Sequence, residues 1–152
     1  MQDVFNLSNT TEKLQLVLSG AITTSQLNWI TSYQDITSAG MTLPQSSSQG
    51  NSNNTTDVDM VAAPSASTTR QIVHLIVYNA DTVAATVTIK KDISGTDYIY
   101  VKQTLQAGDT LQWSREDGFT IISGTSTPTV TFTTFTASGT YTKPSGIKAA
   151  LV

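Results

Sequence analysis

The sequence predicts an all-β protein, with an antiparallel β-sandwich or jelly-roll-like domain, an extended N-terminal arm and a C-terminal strand segment. Threonine and serine supply 27 and 17 of the 152 residues, which suits strands and turns because Thr is β-branched and Ser favours turns over helix interiors. Short apolar or alternating runs recur along the chain with turn-forming residues between them. Neither a useful amphipathic helix nor a βαβ alternation is present, so a sandwich is the expected architecture.

The N-terminal segment, residues 1–13, is predicted to be an arm. Phe5 and Leu7 are two residues apart, so both side chains point the same way from an extended chain. Such an arm could dock on a partner as a strand, or it could be a loosely tethered terminus.

The sandwich is assigned to residues 14–122. Leu14–Gly20 is the first predicted strand, and Gln26–Thr37 follows as a strand, with a short helix as the alternative. Met41–Thr56 has no charge and almost no apolar residue, which predicts a long exposed loop. The next predicted strand, Thr56–Ala63, ends before Pro64.

The second half of the sandwich carries the clearest strand signals. Arg70–Asn79 has apolar residues on both faces, as expected of a central strand. Further strands and their turns are predicted at Ala84–Lys91, Ser94–Asp97 (turn), Tyr98–Leu105, Gln106–Asp109 (turn), Thr110–Ser114, Glu116–Gly118 (turn) and Phe119–Ile122. The predicted core consists of Leu16, Leu18, Trp29, Val61, Val73, Leu75, Val77, Val87, Ile89, Ile99, Val101, Leu111, Trp113 and Ile121.

Beyond the sandwich, residues 123–129 are rich in Ser, Thr, Gly and Pro and are predicted to be a linker. Val130–Thr136 alternates again and starts a second β module over residues 130–152. Because Ala149–Val152 is an apolar strand without obvious partners, we expect this module to continue beyond Val152, with a genuine C-terminal strand as the alternative.

The composition argues against several classes of function. The net charge is −3 and the eight Lys and Arg residues are scattered, so we expect no nucleic-acid partner. The absence of cysteine excludes disulfides and thiolate metal sites, and no apolar stretch is long enough for a membrane span. Residues 1–9 lack the pattern of a signal peptide, which indicates synthesis in a cytoplasm without export by the general route.

The titratable residues do not suggest catalysis. His74 is the only histidine, and a lone His lacks the nucleophile and orienting acid of a triad, so we expect it to be packed or at a subunit contact. Asp57 and Asp59 share a face of a strand and could ligate Ca²⁺, but a solvated strand face is the favoured interpretation. We therefore expect no enzyme activity, no catalytic residue, no metal and no cofactor.

The predicted contact residues are apolar or aromatic. Tyr98 and Tyr100 share a face with Lys102 and are expected on an exposed or intersubunit surface. Phe5, Leu7 and Leu14 are the expected apolar anchors for contacts with a partner surface or a second subunit.

The C-terminal tail contains a spaced motif, F-x-x-S-G-T-Y-T-x-P-x-G. It resembles the opening of the glycine-rich module found in many phage tail-fibre and related virion proteins. The matching residues are Phe135, Ser138, Gly139, Thr140, Tyr141, Thr142, Pro144 and Gly146. The glycine-rich part itself is absent from this sequence.

A second pattern runs through the predicted sandwich, at Ala63-Pro64, from Arg70 to Asp81, and from Leu105 to Trp113. It is similar to small sandwich domains of phage structural proteins. That resemblance implies a virion component, assembled in the host cytoplasm, that contacts the major capsid protein or tail proteins and often forms homotrimers.

The sequence thus leads to a structural virion protein of a tailed phage, whose N-terminal β domain anchors a capsid decoration or head fibre. The short linker favours this over the alternative, a tail-fibre anchoring domain. A further alternative is a carbohydrate- or receptor-binding sandwich that recognises a host-surface glycan through Tyr98 or Tyr100.

Overall fold

A computed structural model describes residues 5–41 and 45–124 of the chain. The predicted second module (130–152), its motif from Phe135 to Gly146 and most of the linker lie outside the described residues. The strands in the described part are β1 (Asn6–Leu7), β2 (Glu12–Leu18), β3 (Asn28–Thr37), β4 (Gly40–Met41), β5 (Ser46–Asn51), β6 (Val58–Val61), β7 (Thr69–Tyr78), β8 (Ala85–Ile93), β9 (Thr96–Leu105), β10 (Thr110–Ser114) and β11 (Gly118–Ile122).

The strands form two antiparallel sheets that pack face to face as a β-sandwich, which confirms the predicted fold class. Sheet A has the order β11-β10-β7-β3-β4, with β1 also paired to β7 and β5 also paired to β3. Sheet B has the order β6-β2-β8-β9. The central strand β7 is the predicted strong one, and it pairs with β3 on one side and β10 on the other.

The core lies between the sheets and follows the two-residue period of the strands. Leu14, Leu16 and Leu18 of β2 are buried on one side, and Leu75 and Val77 of β7 are buried on the other. Cross-strand neighbours in sheet A continue the inner layer, because Trp29 lies opposite Val77, which in turn lies opposite Leu111.

Two turns confirm the predicted turn chemistry. The β8–β9 hairpin closes through Ser94 (φ 51°) and Gly95 (φ 86°), as a two-residue type I′ turn requires. The β10–β11 loop ends at Gly118, whose φ of 69° is the left-handed conformation that glycine adopts at little cost.

The loop predicted over Met41–Thr56 is wrong, because β5 pairs with β3 from Asn28 opposite Asn51 to Tyr33 opposite Ser46. Strand β5 has no large side chain on its inner face, because that face lies against Trp29. A Cβ atom on Gly50 would lie 2.7 Å from Cζ2 of Trp29. Backbone pairing and room for an indole ring therefore define β5, and neither leaves an apolar pattern in the sequence.

The N-terminal arm differs from the prediction as well. Residues from Phe5 onward belong to the sandwich: the carbonyl of Phe5 accepts a hydrogen bond from the N–H of Ile72 at 2.9 Å, and β1 continues the pairing with β7. Strand β2 already begins at Glu12. This segment does dock as a strand, but it docks on its own sheet.

A β-bulge changes which side chains of β9 face the core. Ile89 lies opposite Val101, whereas the next residue, Lys90, lies opposite Ile99, so Tyr100 is the extra residue. The bulge turns Ile99 to the outer face, where it is 64% exposed. The prediction of Ile99 as a core residue is therefore wrong. Ile121 lies on the edge strand β11 and is also exposed, whereas Val73 and Val101 are half-buried.

Candidate interaction surfaces

Asn79 belongs to the Arg70–Asp81 pattern that resembles phage sandwich domains. Its side chain is fully buried and connects neighbouring chain segments by hydrogen bonds. Its Nδ2 group donates to the carbonyls of Val83, Leu105 and Gln106 at 2.9, 2.9 and 3.1 Å, and its Oδ1 accepts from the N–H of Asp81 at 3.0 Å. A buried amide that is satisfied in this way fixes the chain segments around it.

Asp81 holds a second loop at the same end of the sandwich. Its carboxylate accepts the N–H groups of Thr23 and Thr24 at 2.7 and 2.8 Å, the hydroxyl of Thr24 at 2.7 Å and its neighbour Thr82 N–H at 2.8 Å. These donors, the Thr23 N–H first, hold the pKa of Asp81 far below its usual range. Four short hydrogen bonds from the chain itself thus occupy this carboxylate and hold the Thr23–Thr24 segment against it.

Arg70 and Asp109 are structural in the same sense. The Arg70 guanidinium makes a bidentate pair with Asp35 at 2.7 and 2.8 Å and lies 4.4 Å from the centre of the Tyr33 ring, and this hydrogen bonding lowers the pKa of Asp35. Asp109 accepts the N–H groups of Gln106 and Gly124. The resemblance pattern therefore consists of residues that stabilise the fold, and a functional surface has to be sought elsewhere.

The outer face of sheet B is charged. The ammonium of Lys90, which is almost fully buried, contacts Asp57 at 2.7 Å and Asp97 at 2.6 Å. Lys13 contacts Asp59 at 2.8 Å, and Gln15 donates to the other oxygen of Asp59 at 2.7 Å. Asp57 and Asp59 thus pair with different lysines instead of converging on one ion. The described residues contain no group of three or more metal-ligating side chains.

The outer face of sheet A is neutral. Cross-strand neighbours share a face, and the registers of β11, β10, β7, β3 and β5 define three rows across it. We call these three rows together the neutral face. In the order β11, β10, β7, β3, β5, the first row is Ile122, Thr110, Tyr78, Asn28 and Asn51, the second row is Thr120, Gln112, Ile76, Ile30 and Gln49, and the third row is Gly118, Ser114, His74, Ser32 and Ser47. None of its positions carries Asp, Glu, Lys or Arg, and Ile30, Tyr78 and Ile122 are 53%, 44% and 52% exposed.

A second exposed apolar group, the β9 cluster, consists of Tyr98, Ile99 and Tyr100. Tyr98 is 54% exposed, and the Tyr100 ring packs edge-on against Phe5 with centroids 4.1 Å apart. Strand β9 is an edge of sheet B: within the described residues it pairs only with β8. The predicted exposure of both tyrosines is confirmed, although the bulge separates them from the face of Lys102.

The other predicted contact residues lie inside the domain. Phe5, Leu7 and Leu14 are 5%, 1% and 0% exposed. The Phe5 ring also packs against the Trp113 ring, with centroids 5.1 Å apart. Their side chains are covered by the chain itself and cannot anchor a partner in this structure. His74 is half-buried on the neutral face, between Ser32 and Ser114.

Comparison with protein-family models, with curated proteins and with solved structures finds nothing that matches this chain. Among the described residues there is no helix with the length and apolar character needed to cross a bilayer.

Proposed function

We propose that this chain is a non-enzymatic structural protein of a tailed-phage virion, in which the sandwich anchors a capsid decoration or head fibre to the particle. The tail motif and the sandwich pattern support this proposal as resemblances. The major capsid protein or a tail protein is the proposed partner, and the alternative is a tail-fibre anchor.

The observation that carries an anchoring role is the edge position of β9 beside the β9 cluster, where β9 pairs with β8 alone among the described strands. An edge strand offers unpaired N–H and C=O groups to an added strand. Soluble proteins commonly protect such edges with short strands, charge or bulges; β9 carries a bulge and Lys102, but it is ten residues long and exposes Ile99 and Tyr98 at the bulge. We infer that a strand of the virion partner adds here, with Ile99 and Tyr98 as its apolar contacts.

The first experiment is a cryo-EM reconstruction of the phage particle with the density for this chain traced. Density at capsid symmetry positions, with β9 against the shell, is the expected result. Density at the tail alone would favour the tail-fibre alternative. If the chain is absent from the particle, the structural proposal is wrong.

A variant tests the surface itself. Ile99→Lys places a charge beside the β9 edge, and we expect occupancy on particles to fall at least tenfold. Lys102→Gln, on the same strand and outer face, should leave occupancy unchanged. Equal occupancy for both variants would show that the β9 edge is not the contact.

A carbohydrate- or receptor-binding sandwich is the second candidate, favoured by the exposed Tyr98 ring. In a glycan array, this candidate expects binding that Tyr98→Ala abolishes. Binding that survives this substitution would remove Tyr98 from the site.

A further inference from the structure

The neutral face has no role in the anchoring just proposed, since it lies on the other sheet. Tyr78 and Ile30 belong to adjacent rows of this face, with Ile76 between Ile30 and Gln112 in the same row. Ile122 completes the exposed apolar group at the end of the Tyr78 row. Amides and hydroxyls such as Gln112 and Thr110 surround these side chains.

This arrangement has the composition of a protein contact. The centres of protein interfaces are depleted of charged residues and enriched in tyrosine, with polar groups around them. Isoleucine side chains that are half-exposed gain more from contact with protein than from contact with a sugar, because they add apolar area and no hydrogen bond.

We propose that the neutral face is the surface through which copies of this chain associate with one another. When identical surfaces meet around a symmetry axis, each charged residue is brought near its own copies, and like charges at an interface are unfavourable. A face whose strand positions carry no charge avoids this repulsion at its centre, even though the whole chain carries a net charge of −3 and the Asp117 carboxylate, which accepts a hydrogen bond from Ser114, lies at its rim. The outer face of sheet B already uses its lysines in ion pairs within the chain.

The size of the face sets the expected strength. Five strands, with five residues along each, cover roughly 24 by 17 Å. The resulting area of about 400 Å² is below the ~800 Å² per partner of a standard interface. Association should therefore depend on protein concentration in the micromolar range. The proposal goes beyond the proposed anchoring function and does not depend on where the chain sits in a virion.

The test is sedimentation velocity of the full chain at about 1 to 200 μM, the range in which an interface of this size is expected to dissociate. We expect wild type to form oligomers at the upper end, and Ile30→Lys to weaken association at least tenfold. Val83→Lys is the matched control, since it also introduces a lysine at a half-exposed apolar side chain, and Val83 lies in the β7–β8 loop outside both the neutral face and the β9 cluster. It should associate like wild type.

Circular dichroism establishes that each variant is folded, and Ile122→Lys takes the place of Ile30→Lys if the latter does not fold. A monomeric wild type at 200 μM, or oligomers that both neutral-face variants preserve, would overturn the proposal. Equal weakening by Val83→Lys would overturn it too, as would monomers that bind a neutral glycan through Tyr78. Particle occupancy is a separate readout, so a monomeric chain that still decorates particles would leave the anchoring proposal intact.

Discussion

The outer faces of sheets A and B have the same antiparallel geometry, but the side chains that they expose to water differ in charge and polarity. On sheet B, Lys13 and Lys90 lie beside Asp57, Asp59 and Asp97 and form ion pairs within the chain. On sheet A, amides and hydroxyls surround exposed isoleucine and tyrosine side chains, and no position of the neutral face carries Asp, Glu, Lys or Arg.

The two outer faces therefore differ in which side chains remain available for contact with another protein. Sheet B pairs Lys13 and Lys90 with carboxylates of its own chain, and its exposed apolar area is concentrated at the β9 cluster. Sheet A leaves apolar area that can still be buried by contact with another protein surface. The contrast predicts that substitutions on the two faces affect different properties.

The largest effect is expected inside sheet A. Gly50→Val adds side-chain atoms where a Cβ alone would lie 2.7 Å from Trp29, so we expect the free energy of unfolding to fall by about 2–4 kcal/mol. The adjacent Gln49→Val faces outward, opposite Ile30, and should change it by less than about 0.5 kcal/mol. Urea denaturation of both variants measures the difference. Similar losses would show that β5 does not pack against Trp29.

The next effect tests the ion pairs of sheet B. Lys90→Met leaves Asp57 and Asp97 facing each other without a cation, and we expect a loss of about 1–2 kcal/mol, reduced because both carboxylates are nearly half-exposed. Chemical denaturation at neutral pH checks it. An unchanged or higher stability would mean that burial of the ammonium costs as much as its two contacts contribute.

The pH dependence of Lys90 has a defined sign. Burial lowers its pKa, but the hydrogen bonds to Asp57 and Asp97 raise it, and the net pKa is above the ordinary value of 10.5. A raised folded-state pKa contributes stability that is present below pH 10.5 and is lost as the pH rises through the folded-state pKa. Wild type should therefore lose its advantage over Lys90→Met in alkaline solution. A gap that stays constant with pH would contradict the ion pair.

A smaller effect is expected at the more exposed pair of sheet B. Burial raises the pKa of Asp59, but the hydrogen bonds from Gln15 and Lys13 together lower it by more than burial raises it, so the net pKa lies below 3.8. Asp59→Asn should cost about 0.3 kcal/mol at pH 7 after solvent screening, and this cost should vanish as the pH falls through the lowered pKa. Thermal unfolding at low and high salt checks it, because salt screens an exposed pair. A cost that salt leaves unchanged would mean that the Gln15 hydrogen bond, not the charge, matters.

The smallest effect on stability is expected on the neutral face. Ile30→Lys replaces a half-exposed side chain and should change the free energy of unfolding by less than about 0.5 kcal/mol at concentrations where the chain is monomeric. Denaturation of dilute protein measures it. A loss near that of Gly50→Val would indicate that Ile30 belongs to the core and would remove the contrast between the faces.

The strands with apolar alternation were predictable from the sequence. β2, β7, β8, β10 and β11 lie close to their predicted positions because each buries one side in the core. Strand β5 was not predictable from the sequence, because pairing with β3 and leaving space for Trp29 require no apolar residue. The bulge in β9 was missed for a similar reason, because an extra residue in a strand has no local signature.

The candidate surfaces were only partly predictable. Tyr98 and Tyr100 were expected to be exposed, and they are. The neutral face was missed because its residues come from strands far apart in sequence, and only the order of strands in sheet A makes them neighbours. Phe5 and Leu7 were misplaced because an apolar pair in a terminal segment fits its own sheet as well as a partner's.

The bulge at Tyr100 also has a consequence for how this surface can change during evolution. Removing Tyr100 would restore plain alternation, because Ile99 would stay opposite Lys90 and Val101 opposite Ile89. The hairpin at Ser94–Gly95 and the buried end at Leu105 would keep their partners. Loss of a single codon would therefore straighten the exposed edge and remove one aromatic ring from it, without changing which side chains of β9 face the core.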